Sequence, residues 1–235
     1  MRSAKAIFIK QVHDLFKNPA VLIQLIVFPV IAFIFTEFMG APPDNTPRTM
    51  FITMFAAMST GLTLLTMTTL AIAEDREHKS LRFLVMAGVK PYSYLLGIGG
   101  VVFVAGLLES VVFGSMGVLM GGFELIAFLK FILILTLGSV ASVLLGATLG
   151  IFCKNQQAAT SIALPIAMVL GFGPMLTMFN DTIGKVFSVT YTQQLNIVVN
   201  DLSASMTKPL LIIVANIALF FILFVLAFTK KGLKN

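Results

Sequence analysis

The sequence has little charge and almost no cysteine. Only 11% of its 235 residues are Asp, Glu, Lys or Arg, whereas about a quarter of the residues in a soluble domain are charged. This leaves too little polar surface to cover a water-soluble globule. The one cysteine, Cys153, excludes an internal disulfide and a metal site built from several cysteines.

Common catalytic motifs are also missing. The sequence contains no HExxH, no GxSxG and no Walker-type GxxxxGK[ST]. The run from Glu74 to His78 does not suit a metal, because Arg76 and Lys79 are interspersed with it and adjacent helical positions diverge. The basic residues are scattered along the chain instead of forming one face, which argues against nucleic-acid binding. We therefore expect no enzymatic activity, no metal and no cofactor bound by this chain.

What the sequence has in abundance is apolar residues, which make up 58% of it, with a mean hydropathy of +0.99. A helix that crosses a bilayer needs about 20 mostly apolar residues. We therefore expect an all-α integral membrane protein with a single transmembrane domain over residues 1–235. Its six predicted spans lie at roughly 20–38, 50–73, 94–121, 128–152, 159–179 and 209–229.

The distribution of Lys and Arg predicts the orientation of these spans. Twelve lie in the N-terminal segment, the 74–93 loop, the 153–158 loop and the C-terminal segment, and four lie on the opposite side. Because basic residues near span ends favour the cytoplasm, we expect a multi-pass protein with both termini inside the cell.

Two segments outside the spans have a helical or apolar character of their own. Residues 1–18 are amphipathic at helical spacing, which predicts a helix lying on the inner membrane surface. The outer loop, residues 180–208, is long and rich in apolar residues. Loops of this length usually have structure or function, so we expect a re-entrant segment that gates the outer exit or fills a dimer interface.

Several polar residues lie inside the predicted spans. Glu109 lies near the middle of the third span, and an intramembrane carboxylate is costly and is by default a candidate functional group. It either makes a structural polar contact or takes part in transport. The same alternatives apply to Asn216 in the sixth span. In the second span, Ser59, Thr63 and Thr66 either line a polar pathway or bond to carbonyls of their own helix.

The fourth span carries small residues at every fourth position, which lets two helix backbones approach closely. This stripe packs either inside one subunit or across a dimer seam. Its members are Gly138, Ser142, Gly146 and Gly150.

The densest charge of the chain lies between the second and third spans, in the predicted loop 74–93. Leu81, Leu84 and Gly88 recur on one helical face after the charged start. A short cytoplasmic helix of this kind suits docking into a groove on a partner protein. The alternative is a solvated linker on the lipid headgroups.

The same segment resembles the intracellular loop of ABC-2 type transporter permeases. The family pattern E-R-E-x-G-T-L, followed by L-x-x-x-G-V-x-P-x-x-Y-L-L-G, is similar to EDREHKSL at 74–81, Leu84 and GVKPYSYLLG at 88–97. The chain departs from it at Lys79 and Ser80, where the family often has Gly-Thr, and at Arg82, where many members have an acid. The likeness extends over the interfacial helix, the six spans and the apolar outer loop.

The resemblance implies a permease subunit of an ATP-driven exporter in a bacterial or archaeal cell membrane. A separate ABC ATPase would hold ATP and Mg²⁺, and a second permease copy, identical or related, would complete the transporter. Cargo in the family includes drugs, peptides and lipids. The coupling contacts would come from Glu74, Asp75, Arg76, Glu77, Leu81, Arg82, Leu84 and Gly88.

Two other functions are compatible with the residues themselves. A secondary transporter or channel without a partner would use Glu109 for proton coupling or as a pore-lining group. A membrane-bound immunity protein would bind a toxin without transporting anything.

Overall fold

The computed structural model describes residues 2–17, 19–38, 49–177, 180–203 and 205–231. Some predicted positions lie outside this part. They are residues 1, 18, 178, 179 and 204 of the predicted elements, and Arg48 and Lys234 of the charge comparison. The described residues form helices joined by short turns, without a strand. The helices are α1 (Arg2–Lys17), α2 (Pro19–Phe38), α3 (Met50–Glu77), α4 (Ser80–Met86), α5 (Pro91–Leu119), α6 (Leu125–Phe152), α7 (Gln156–Leu176), α8 (Asp181–Phe187), α9 (Tyr191–Asn200) and α10 (Thr207–Lys231).

Five of these helices, α3, α5, α6, α7 and α10, are long and apolar enough to cross a membrane. In α2 the stretch that qualifies as apolar is shorter, Leu22–Phe38. The prediction of a multi-pass all-α membrane protein is therefore confirmed, and the six-span layout stays a prediction.

The largest difference from the predicted boundaries is at the end of the second span, expected at residue 73. α3 continues to Glu77, so the acidic cluster belongs to this long helix, and α4 is a separate helix that starts at Ser80. α5 begins at Pro91, because proline is well suited to the first position of a helix. Pro165 and Pro174 lie inside α7, which continues to Leu176.

α3 is the central helix of the bundle and packs against α2, α5, α6, α7 and α9. Much of it is made of Ala, Ser, Thr and Gly, and nearly every residue from Ile52 to Ala73 is buried. Small side chains let several helices surround one axis at close range. A displacement of α3 would therefore reach most of the bundle.

The two ends of the bundle carry different elements. At one end, the Glu77 carboxylate accepts a hydrogen bond from the Gln156 N–H (3.0 Å), so the α3–α4 and α6–α7 turns are neighbours. At the other end, the Thr53 hydroxyl donates to Asn200 Oδ1 (2.9 Å), which joins the start of α3 to the end of α9. We call these the α4 end and the α9 end.

α1 lies across α5 at two glycines of α5. A Cβ atom at Gly97 would collide with the Ile7 side chain, and one at Gly100 would press on the Phe8 ring. Ile7 is buried by this contact. The glycine-rich start of α5 thus permits close packing of the N-terminal helix, and α5 itself is continuous through it.

Candidate functional site

A buried carboxylate joins three helices at the α4 end. Asp75 of α3 is 3% exposed. The Lys10 ammonium of α1 donates to its Oδ1 (2.6 Å) and the Tyr94 hydroxyl of α5 donates to its Oδ2 (3.0 Å). We call this set of three residues the carboxylate latch, because it ties α1 and α5 to the end of α3.

The electrostatics of the latch favour a charged lysine. Partial burial of Lys10 disfavours its charge, but the hydrogen bond to Asp75 and the nearby carboxylates of Asp75, Asp14 and Glu74 outweigh that effect, so the pKa of the Lys10 ammonium is raised. Asp14 lies 3.8 Å from the same ammonium on the exposed side of α1. The latch is therefore an ion pair at neutral pH, with its lysine half-exposed and its carboxylate inside.

The predicted coupling residues are divided between the inside and the outside of the protein. Asp75 and Leu81 are buried, and Leu81 packs in one apolar cluster with Ile7, Tyr94 and Ile98. The exposed residues of the predicted set are Glu77, Arg82 and Gly88, and the half-buried ones are Glu74, Arg76 and Leu84.

Two residues with positive φ set the path of the chain around α4. Lys79 (φ 59) makes the turn out of α3, and Gly88 (φ 77) makes the turn out of α4. After Gly88, the Val89 N–H donates to the Leu84 carbonyl (3.0 Å), which is the bond of a Schellman helix end. These turns fix α4 against the end of α3.

A groove of about 470 Å³ opens between α1, the end of α3 and α4. The Phe83 side chain is 64% exposed at its edge, and Met86 on the same helix is 57% exposed. We call this surface the coupling groove. Its lining is formed by Ala6, Ile7, Lys10, Asp75, Ser80, Phe83, Leu84 and Ala87.

Sequence reasoning missed the contribution of α1 to this surface. Lys10 and Ile7 were counted only as parts of an amphipathic helix, and Tyr94 only as part of a family motif. The sequence signal for the buried position of Asp75 is its distance of four residues from Ala71. If α3 continues past residue 73, this spacing puts Asp75 on the same buried helix face as Ala71.

Inside the bundle, Glu109 is buried and accepts a hydrogen bond from the Ser59 hydroxyl of α3. The neighbouring Thr66 hydroxyl bonds to the Leu62 carbonyl of its own helix (2.8 Å). Thr63 is fully buried, and its Oγ1 has no hydrogen-bond partner. The structure thus brings Ser59 to Glu109, whereas Thr66 bonds to its own helix.

The small-residue stripe of α6 packs against α3 and α9 of the same chain. A side chain at Gly138 would meet Leu195 of α9, and one at Gly146 or Gly150 would meet the α3 backbone. The Ser142 hydroxyl lies 2.6 Å from the Thr60 carbonyl and 2.9 Å from the Tyr191 hydroxyl. These small residues are therefore covered within the subunit, which leaves no free face there for a second copy.

The segment that contains α8 and α9 is held to the bundle by polar contacts. Because the Ser142 hydroxyl has one proton and donates it to Thr60, Tyr191 of α9 is the donor in the second bond. Asn216 of α10 donates to the Val189 carbonyl between α8 and α9 (3.0 Å) and to the Ile212 carbonyl of its own helix (2.8 Å). The Lys130 ammonium donates to the Leu202 carbonyl (2.9 Å). Two long helices, α6 and α10, thus hold α9 and its flanks.

Comparison with known proteins gives one family. No curated protein matches the chain. The profile of the ABC-2 family transporter proteins matches residues 48–229, which include α3 to α9 and nearly all of α10. A match over this much of the sequence shows that the chain belongs to the ABC-2 transporter family, as a membrane component of an ABC transporter.

Proposed function

We propose that the chain is the permease subunit of an ATP-driven exporter that moves an amphiphile, such as a drug, peptide or lipid, out of the cell. ATP and Mg²⁺ bind to a separate ABC ATPase, since this sequence has no Walker-type motif. Two copies of the permease and two ATPases form the transporter. The α4 end faces the cytoplasm, where the ATPase can reach it.

The observation that carries this proposal is the coupling groove. Its lining includes the exposed Phe83 of the short helix α4, and Met86 and Arg82 of the same helix are also exposed. Glu77, at the end of α3, is a further exposed charge close to this helix. An apolar groove with a charged rim suits insertion of a partner's side chains.

The contacts behind α4 give the partner a route to the spans. Leu81 anchors α4 in the apolar cluster that contains Tyr94 and Ile98 of α5. Asp75 ties the end of α3 to α1 and α5 through the carboxylate latch. A push on α4 therefore acts on both α3 and α5. We assign Asp75 the role of positioning these helices, and we assign direct contact with the ATPase to Glu77, Arg82 and Phe83.

At the far end, α8 and α9 form a re-entrant outer segment that closes the exit. Eight of the ten residues of α9 are buried, and α9 contacts α3, α6, α7 and α10. Because α9 rests directly on α3, a movement of α3 started at the α4 end reaches it. This contact gives a physical basis for opening the exit after ATP binding.

Co-purification with an ABC ATPase subunit from the same organism tests the proposal. Arg82→Glu and Phe83→Glu change the coupling groove, and Lys154→Glu changes an exposed residue of the neighbouring α6–α7 turn by the same charge reversal as Arg82→Glu. We expect the wild type and Lys154→Glu to retain the ATPase, and the two groove variants to lose most of it. Equal retention by all four proteins would contradict docking at this surface.

A partner-free secondary transporter is the second candidate, and the buried Glu109–Ser59 contact is the observation in its favour. Permease reconstituted without an ATPase would then show flux driven by a proton gradient, lost in Glu109→Gln. We expect no such flux, because the proposed energy source is ATP on the partner subunit.

A further inference from the structure

Buried oxygen atoms that lack donors lie along the contact between α3 and α5. Glu109 of α5 receives one hydrogen bond, from Ser59. One turn along α3, the fully buried Thr63 Oγ1 has no partner, and Gln24 Oε1 of α2 also has none. These two are the buried side-chain oxygens without a partner in the described part of the chain. Because buried polar atoms nearly always have partners, two such atoms point to a missing ligand.

Gln24 lies beside the same contact. Its neighbour Leu25 packs against an apolar cluster that includes Leu64, Met67 and Val102, and these residues belong to the facing sides of α3 and α5. The turn of α2 that carries Gln24 therefore lies at the level of the α3–α5 contact, on the α4 side of Glu109.

A cleft opens between α1, α3 and α5 at the α4 end. It has a volume of about 50 Å³, which is room for about three or four water molecules or one ammonium group. The cleft and the Ser59–Glu109 pair share one face of α3. Residues three or four apart lie on the same helix face, and such steps connect positions 74, 70, 67, 63 and 59. The cleft is lined by Asp14 and Glu74, by Gln11 and Gln156, and by an apolar wall that includes Met67 and Val102.

The charge along this route has one sign. Glu109 is the only Asp, Glu, Lys or Arg that lies more than about two turns from a helix end in the described parts of the long helices. At the cleft, Asp14 has Lys10 and His13 as basic neighbours, but the Lys10 ammonium donates to Asp75 and His13 is an exposed residue 4.0 Å away. A molecule that enters between α3 and α5 therefore meets carboxylates and other acceptor oxygens.

We infer that the α3–α5 contact binds the positively charged amine of a transported amphiphile, with Glu109 as the contacting carboxylate. This inference deepens the proposed transport function and rests on it. An ammonium has three N–H donors and no acceptor, which matches the free oxygens of Glu109, Thr63 and Gln24. An anionic head group would bring further acceptors into a site that already has an excess of them. The apolar wall of the cleft suits the hydrocarbon part of the same molecule.

Binding of a fluorescent amine to the purified permease alone tests the inference, and it needs no ATPase. The probe is dansyl-cadaverine, an apolar dye with a primary amine, and its matched control is the N-acetyl derivative, which is neutral. We expect wild-type protein to bind the amine about tenfold or more tightly than the acetylated probe, since a charge-assisted hydrogen bond is lost on acetylation. Glu109→Gln should remove this preference, and Glu124→Gln, at an exposed position, should keep it.

Equal affinity for the two probes, or an amine preference that survives Glu109→Gln, would overturn the inference. If Glu109→Gln does not fold, two other variants test the inference: Glu74→Gln, at the mouth of the cleft, and Thr63→Val. Each should weaken binding of the amine several-fold and leave binding of the acetylated probe unchanged. The ATPase co-purification described above is independent of both probes. Failure of the amine site and failure of the exporter proposal are therefore distinguishable.

Discussion

At the scale of single residues, Lys79 stands out because its backbone is in the left-handed region (φ 59). A non-glycine residue there costs roughly 1–2 kcal/mol, because Cβ approaches the following carbonyl. The resemblance to ABC-2 permeases was imperfect at this position, where the family often has glycine. The positive φ explains why glycine suits this position, and this chain places a strained lysine there.

Lys79→Gly is predicted to stabilise the protein by about 1 kcal/mol, because glycine adopts positive φ without the steric cost. The measurement is denaturant titration in detergent with a thiol-reactive dye. The dye reports unfolding through the single cysteine, Cys153, which is 1% exposed in the folded protein.

Lys90 provides the control for this prediction. It is also exposed and lies next to α5, but its φ is −75, an ordinary value for any residue. Lys90→Gly should therefore bring no gain in stability. A gain at Lys90 equal to that at Lys79 would show that loss of the lysine, and not relief of the backbone, was responsible.

The sequence indicates where the candidate residues lie along the chain, but not which way each side chain faces. Charge density identified the segment around Glu74 and Asp75, but the two are adjacent on one helix and point about 100° apart. Only the packing of α3 decides that Asp75 faces Lys10 and Tyr94 while Glu77 faces the α6–α7 turn. Such choices depend on neighbouring helices that are far away in sequence.

At the scale of elements, the carboxylate latch carries a prediction about α1. Asp75→Asn should destabilise the protein by about 1–3 kcal/mol, because the Lys10 ammonium loses its charged partner and a nearly buried hydrogen bond is weakened. The same dye titration measures it. In the assembled transporter, the variant should still bind the ATPase but couple its hydrolysis to transport less well, since the coupling groove itself keeps its exposed residues.

Asp14→Asn is the matched control for the latch. Asp14 is the other carboxylate near Lys10, at 3.8 Å and 34% exposed, and pairs of this kind contribute roughly 0–1 kcal/mol. If Asp14→Asn lowered the stability as much as Asp75→Asn, the loss would come from any negative charge near α1 and not from the carboxylate latch.

The outer segment carries a second prediction at this scale. Tyr191→Phe removes the donor to Ser142 and should cost about 1 kcal/mol, because Ser142 still donates to the Thr60 carbonyl. The change loosens α9, so proteolysis or hydrogen exchange of residues 180–203 should become faster. Tyr92→Phe, at a 52% exposed tyrosine, should leave both measurements unchanged.

The helices themselves were largely predictable from hydropathy, since long apolar runs leave few alternatives in a bilayer. Each predicted long span from 50–73 onward corresponds to one helix within a few residues at most boundaries. The exception, the extension of α3 through the acidic cluster, was not predictable from hydropathy, because those residues are polar. Their helical conformation is stabilised by tertiary contacts of Asp75 and Glu77.

At the scale of the whole molecule, the coupling groove and the α9 contact lie at opposite ends of the central helix α3. The coupling groove and the carboxylate latch lie at the α4 end, and α9 packs on α3 near its other end. Composition alone predicted a membrane bundle, and the family match confirms the transporter class. The connection between the two ends follows only from the packing of α3 against nearly every other long helix.

The central claim is that a separate ATPase docks at the coupling groove, and photo-crosslinking tests it most directly. With Cys153→Ser as background, a benzophenone maleimide is attached at Phe83→Cys, or at Leu119→Cys near the α9 end, where the side chain is 85% exposed. The account predicts a covalent product with the ATPase from position 83 and none from position 119. Absence of the product at position 83, in a sample where the ATPase co-purifies, would contradict it.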